Sequence, residues 1–156
     1  MATTTVTRAA STFPAMTGGA ARLLVAYGSY DFAANPTAAD IIEFCKIPAG
    51  ATVIGGWLRL EDVDSNATEE FDMDVGYAAN GAVSADPDAF GNFGVRTGDA
   101  VTDVLPEGGS LLHFNGVLKD GFLSVTRDTV ITGTINVDAA TFAAGTASVV
   151  VLYTCP

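Results

Sequence analysis

The sequence predicts an all-β fold, an antiparallel β-sandwich of the jelly-roll type with about eight strands and an extended N-terminal arm. Three observations predict it. Helical periodicity is nearly absent: the best stretch, "PTAADIIEFCKI" at 36–47, places Ile41, Ile42, Phe44 and Ile47 as well on a short strand entering a turn at Pro48 as on a helical stripe. Short runs of β-branched and aromatic residues recur along the chain, separated by Gly, Pro, Asn and Asp clusters. Over residues 70–77 the alternation is strict, with Glu70, Asp72, Asp74 and Gly76 against Phe71, Met73, Val75 and Tyr77, so one face of that strand is expected wet and the other buried.

Residues 1–21 are Ala, Thr, Ser and Gly with isolated apolar side chains, a composition that builds no core of its own and reads as a flexible arm. The β-sandwich domain then spans 22–156. Its first strand is "RLLVAYGSYDF" at 22–32, followed by "DIIEFCKI" at 40–47 and the turn "PAGA" at 48–51. "TVIGGWLRLEDV" at 52–63 carries the single Trp, expected in the core, and its Gly55-Gly56 pair signals a bulge or a close backbone approach. Next come "EEFDMDVGYA" at 69–78, "GSLLHFNGVL" at 109–118, "GFLSVTR" at 121–127, "TVITGTINVD" at 129–138 and "ASVVVLYTC" at 147–155. In the last of these, Val149 to Leu152 are apolar on consecutive residues. This predicts cover on both faces, by the opposite sheet and by something further, such as a neighbouring subunit. Residues 79–108 read as one long loop, which Phe90, Phe93 and Val95 pack onto a surface.

Composition narrows the function. With 7 Lys and Arg against 18 Asp and Glu, the net charge of -11 repels phosphate backbones, so direct nucleic-acid binding is not expected. Only 16% of residues are charged, few for a small monomer, and part of the surface is expected to be buried against other chains. There is no run of 18 or more apolar residues to span a membrane as a helix, and the N-terminus lacks the basic and apolar regions of a secretory signal. Synthesis and retention in the cytosol, until something releases the protein, is the expectation. Cys45 and Cys155 have no metal-type spacing. They read as small core hydrophobes, with a disulfide within or between chains as the alternative.

Candidate chemistry can be tested residue by residue. "DVDSN" at 62–66 opens like a calcium-binding D-x-D-x-N loop, but the sixth position is Ala67 and the twelfth Met73, where such a loop needs Gly and Glu. Asp62, Asp64, Asn66 and Glu69 remain a weak cation candidate beside the plainer reading of a turn capped by its own side chains. Asp72 and Asp74 lie on one face of a strand, roughly 7 Å apart from strand geometry, in the range of a glycosidase pair. Alternation, however, puts them on open polar surface. His113 stands alone, with no nucleophile elbow to accompany it. "GNFG" and "EGGS" lack the Lys and the helix of a phosphate loop. Neither a catalytic residue nor a cofactor is expected.

Three segments in order, "DIIEFCKIPAGATVIGGWLRLED" at 40–62, "FDMDVGYA" at 71–78 and "DPDAFGNFG" at 86–94, resemble a family of tailed-bacteriophage head decoration, or cement, proteins. The resemblance covers about residues 25–155. It implies a non-enzymatic virion protein on the outer capsid surface, bound to the major capsid protein at junctions between its subunits, often as a homotrimer. On this reading the arm residues Arg8, Phe13, Met16 and Arg22 contact the capsid, because an apolar group and a basic group suit an acidic, grooved partner. The competing expectation is a jelly-roll binding module of a phage fibre or a carbohydrate-binding protein. Such a module needs exposed aromatic platforms, for which Tyr27, Tyr30, Trp57, Tyr77 and Phe90 are available.

Overall fold

The computed structural model describes residues 3–5, 22–93, 110–114 and 121–155. No helix occurs among them. The elements are β1 (Thr3–Thr5), β2 (Arg22–Phe32), β3 (Ile41–Ile47), β4 (Thr52–Leu60), β5 (Asp72–Tyr77), β6 (Asp86–Asn92), β7 (Ser110–His113), β8 (Thr129–Val137) and β9 (Gly145–Cys155). They form two sheets, one in the order β1-β3-β8-β5-β6 and one in the order β2-β9-β4-β7.

The topology follows from nested pairing. β2 pairs with β9, β3 with β8, β4 with β7 and β5 with β6, all antiparallel, as if one long hairpin had been rolled onto itself. The roll is closed by β4 against β9 and by β5 against β8. That is the jelly roll, eight strands in two four-stranded layers, with β1 added parallel to β3 at one edge.

The runs at 22–32, 40–47, 52–63, 69–78, 129–138 and 147–155 each form a strand within a few residues of the expected bounds, and "GSLLHFNGVL" contributes β7. The Gly55-Gly56 signal corresponds to a register shift between Val53 and Gly55 in the β4–β9 ladder. "GFLSVTR" is not a strand; its Ser124 makes a single bridge to Thr52.

Two strands lie where none was expected. β1 falls within the expected arm, and β6 falls within the expected loop at 79–108. β6 contains Pro87, which has no N–H to give to a ladder. An edge position, where one side of the strand has no neighbour, tolerates that.

The core lies between the sheets. Phe44, Ile47, Val53, Leu58, Val75, Ile131, Ile135, Val149 and Val151 are fully enclosed; β4 and β9 alternate buried and less buried residues as period two demands, whereas β5 is buried on four consecutive residues, Met73 to Gly76. Phe90 of β6 is 1% exposed and stacks on Phe114, ring centroids 5.0 Å apart and 11° from parallel. Phe93 packs against the same cluster, so these two loop residues dock on their own domain. Cys45 and Cys155 are both buried, and neither is in a disulfide. At Gly28 a Cβ would collide with the Phe44 carbonyl oxygen, so only glycine lets β2 and β3 close the edge of the sandwich there.

Candidate functional site

The four-stranded sheet has an outer face that the sandwich does not cover, and its side chains stand in cross-strand rows. One row runs Tyr27, Val150, Trp57, His113 across β2, β9, β4 and β7. A second joins Val25 to Leu152 and Gly55, where the bulge turns Ile54 outward. A third begins at Leu23 and crosses Thr154 and Thr52 to Ser124. Beyond Tyr27 the character changes. Ser29 bonds Ser148 at 2.9 Å, Thr146 donates to Asp31 at 2.9 Å, and Arg59 pairs with Glu61 at 2.9 Å. One end of the face is therefore uncharged and mainly apolar, with Thr154, Thr52 and Ser124 as its polar members, and the other is polar and self-satisfied.

Exposure marks the apolar end. Leu23, Val25, Tyr27 and Phe122 are 59%, 50%, 48% and 62% exposed. Phe122 lies two residues from Ser124, in the segment that runs beside the start of β4. Of the six large apolar side chains most exposed among the described residues, only Val137 belongs to the other sheet. Leu23, Val25 and Tyr27 follow one another on the outward side of β2, and exposed apolar side chains grouped in this way mark a contact surface. Val150 and Leu152 are half-buried by their flanking strands. Among the described residues no second layer lies over them. Trp57 is not a core residue: its neighbour Leu58 turns inward, and Trp57 joins the outer face.

The D-x-D-x-N stretch forms a second feature. Asp62 Oδ1 accepts the Asp64 amide, Asp64 Oδ1 the Asn66 amide, and Asn66 Oδ1 the Thr68 amide, three successive turns each closed by its own side chain. Asp64 does more. It is 2% exposed, and its carboxylate also accepts the amides of Glu70, Phe71, Ala140 and Thr141. Burial opposes its charge, but the amides of Glu70, Thr141, Ala140 and Asn66 outweigh burial and hold its pKa at about 2. These oxygens serve backbone amides, which leaves the chain itself in the position a cation would take. No group of three or more His, Cys, Asp or Glu among the described residues is placed to hold a metal ion.

Asp74 departs from expectation. It is 6% exposed, not on open surface, because Asn136 and the backbone at Phe93 hydrogen-bond to it and Asp72 and Asp88 stand close by. Burial, with the negative charges of Asp72 and Asp88, pushes its pKa up, partly offset by hydrogen bonds from Asn136 and the Phe93 backbone. Of the arm residues only Arg22 is described, at the exposed start of β2; Arg8, Phe13 and Met16 lie outside the described residues, as does Val95.

The class defined by this fold is a jelly roll with one apolar outer face. No protein-family model matches the sequence, and no curated protein matches it. Among solved structures the chain is similar to a chain of the cyanophage Pam1 capsid asymmetric unit, with 26% identity, 92% of this chain and 91% of that chain covered, and a TM-score of 0.64. It is also similar to a chain of the capsid of Ralstonia phage GP4, at 17% identity, 99% of both chains and a TM-score of 0.70. A third likeness is to a chain of the acidic stable capsid structure of Helicobacter pylori bacteriophage KHP30, at 17% identity, 86% of this chain, 88% of that chain and a TM-score of 0.52. The last two show the fold alone.

Proposed function

We propose that this protein is a non-enzymatic structural component of a bacteriophage virion, a decoration protein that binds the outer surface of the assembled capsid. Its partner is the major capsid protein, at junctions between subunits, and its effect is to stabilise the shell. The observation that carries the reading is the likeness, over nearly the whole chain, to a chain of the Pam1 capsid asymmetric unit. The acidic balance of the chain fits an outer surface better than contact with packaged nucleic acid. On this reading the protein is a homotrimer or another homo-oligomer, and multiple copies on a lattice let modest contacts sum to a large effect. The segment 2–21, with Arg8, Phe13 and Met16, and Arg22 beside it, is the proposed capsid-binding arm. Deleting residues 2–21 is expected to lower capsid occupancy; unchanged occupancy removes the arm from the reading.

One observation favours the binding-module alternative. Tyr27 and Trp57 stand in one row on the outer face with Val150 between them, two aromatic rings on one flat surface. Glycan-array binding that is lost in Tyr27→Ala and Trp57→Ala would support that alternative.

A further inference from the structure

Among the described residues the apolar end of the outer face is exposed, and two features indicate what covers it. The first is charge. The chain carries -11, so two copies approaching through most of their surface bring carboxylates against carboxylates. The rows of Leu23, Val25 and Tyr27 contain no carboxylate across β2, β9 and β4. Like-charged copies can meet here without that repulsion.

The second is area and edge. Three strands by three rows, with β7 added in the Tyr27 row alone, cover roughly 300 Å² from sheet spacings, less than half of the ~800 Å² that each partner gives to a stable complex. The missing area has an adjacent source. β2 is the edge of its sheet, and among the described residues its only ladder partner is β9. Leu23, Val25 and Tyr27 stand at its rim, before the point at Gly28 where β2 closes on β3, so face and edge form one continuous surface over that part of the strand. Long exposed apolar edges of this kind are templates for pairing with another chain.

We propose that this surface, the β2 edge together with the apolar rows centred on Val25 and Tyr27, is where a second copy of the chain docks. The proposal rests on the homo-oligomer reading above and names the surface that makes the oligomer. It also accounts for the consecutive apolar residues of β9. Val149 and Val151 face the opposite sheet, and Val150 and Leu152 face the neighbouring copy.

The test is sedimentation of the full chain over a range of concentrations, with Val25→Asp and Tyr27→Asp on the face and Val137→Asp on the other sheet as control. All three side chains are exposed, and a thermal melt of each variant verifies folding. The expected result is wild-type self-association that increases with concentration. Each face variant should weaken it by at least about tenfold, the effect of placing a charge where a central interface residue was buried, and Val137→Asp should leave it unchanged. Folded face variants that associate as wild type does would overturn this surface while leaving the homo-oligomer reading in place. A wild-type chain that remains monomeric at every concentration would overturn both.

Discussion

Asp64 Oδ2 accepts the Ala140 amide at 2.9 Å, joining the β4–β5 connection to the β8–β9 connection across 76 positions of sequence. The same carboxylate takes the Glu70 amide at 2.9 Å and, through Oδ1, the Thr141 amide at 2.9 Å. Removing it strands several amides in a site nearly closed to water. Asp64→Ala is expected to cost at least about 3 kcal/mol, whereas Asp62→Ala, whose side chain closes one turn, costs about 1 kcal/mol. Denaturant titration of the two variants measures the difference. Equal costs would mean that Asp64 is not the tie between the loops.

The depressed pKa of Asp64 sets an acid limit. The group is more easily protonated when unfolded than when folded, so its contribution is complete above about pH 4 and is lost as pH falls through about 2. Asp74 has the opposite sign. Its raised pKa means that stability is greatest when it is protonated and declines as pH rises through the folded value. Asp74→Asn, which keeps shape without charge, is therefore expected to melt higher than wild type at neutral pH. The gap should close below about pH 4, where the unfolded carboxyl also holds its proton. A variant that melts lower at neutral pH contradicts the placement of Asp74 among other carboxylates.

Calcium is expected to do nothing to the melting temperature. The oxygens of Asp62, Asp64 and Asn66 already accept backbone amides, and a cation would have to displace bonds of 3.0 to 3.2 Å that close the turns. Melts in excess calcium and in chelator should coincide. A calcium-dependent rise would restore the stretch at 62–69 as a cation site.

Gly28→Ala is expected to cost about 1–3 kcal/mol through overpacking, because the added methyl meets the backbone of Phe44, which cannot rotate away. Gly55→Ala, whose Cβ meets nothing within 4 Å, serves as the comparison. Thermal melts of both variants decide whether the β2–β3 contact closes the sandwich.

Most of the fold was legible because strand period and turn residues report local structure directly. β2 has the bounds of the apolar run 22–32, and the Gly55-Gly56 pair marked the irregularity in β4. What escaped depends on residues far away in sequence. β6 is hidden because "DPDAFGN" has the composition of a turn, and it is a strand only because β5 offers it an edge. Asp74 was read as wet because alternation says which side a residue faces and not what lies over that side. The outer apolar patch did leave a signal. Leu23 to Tyr27 are apolar on consecutive residues, as Val149 to Leu152 are, and a strand with two apolar faces requires a second cover. Trp57 gave none, since one residue's shift in a bulged strand moves it from the core to the surface.

The most direct test of the proposed function is to mix purified protein with DNA-filled phage heads that lack it, pellet the heads, and quantify the protein that sediments with them. Saturable binding at a fixed stoichiometry, with heads that then survive heating better, is the predicted result. Heads that bring down no protein, at concentrations where the chain is folded, would contradict the decoration role.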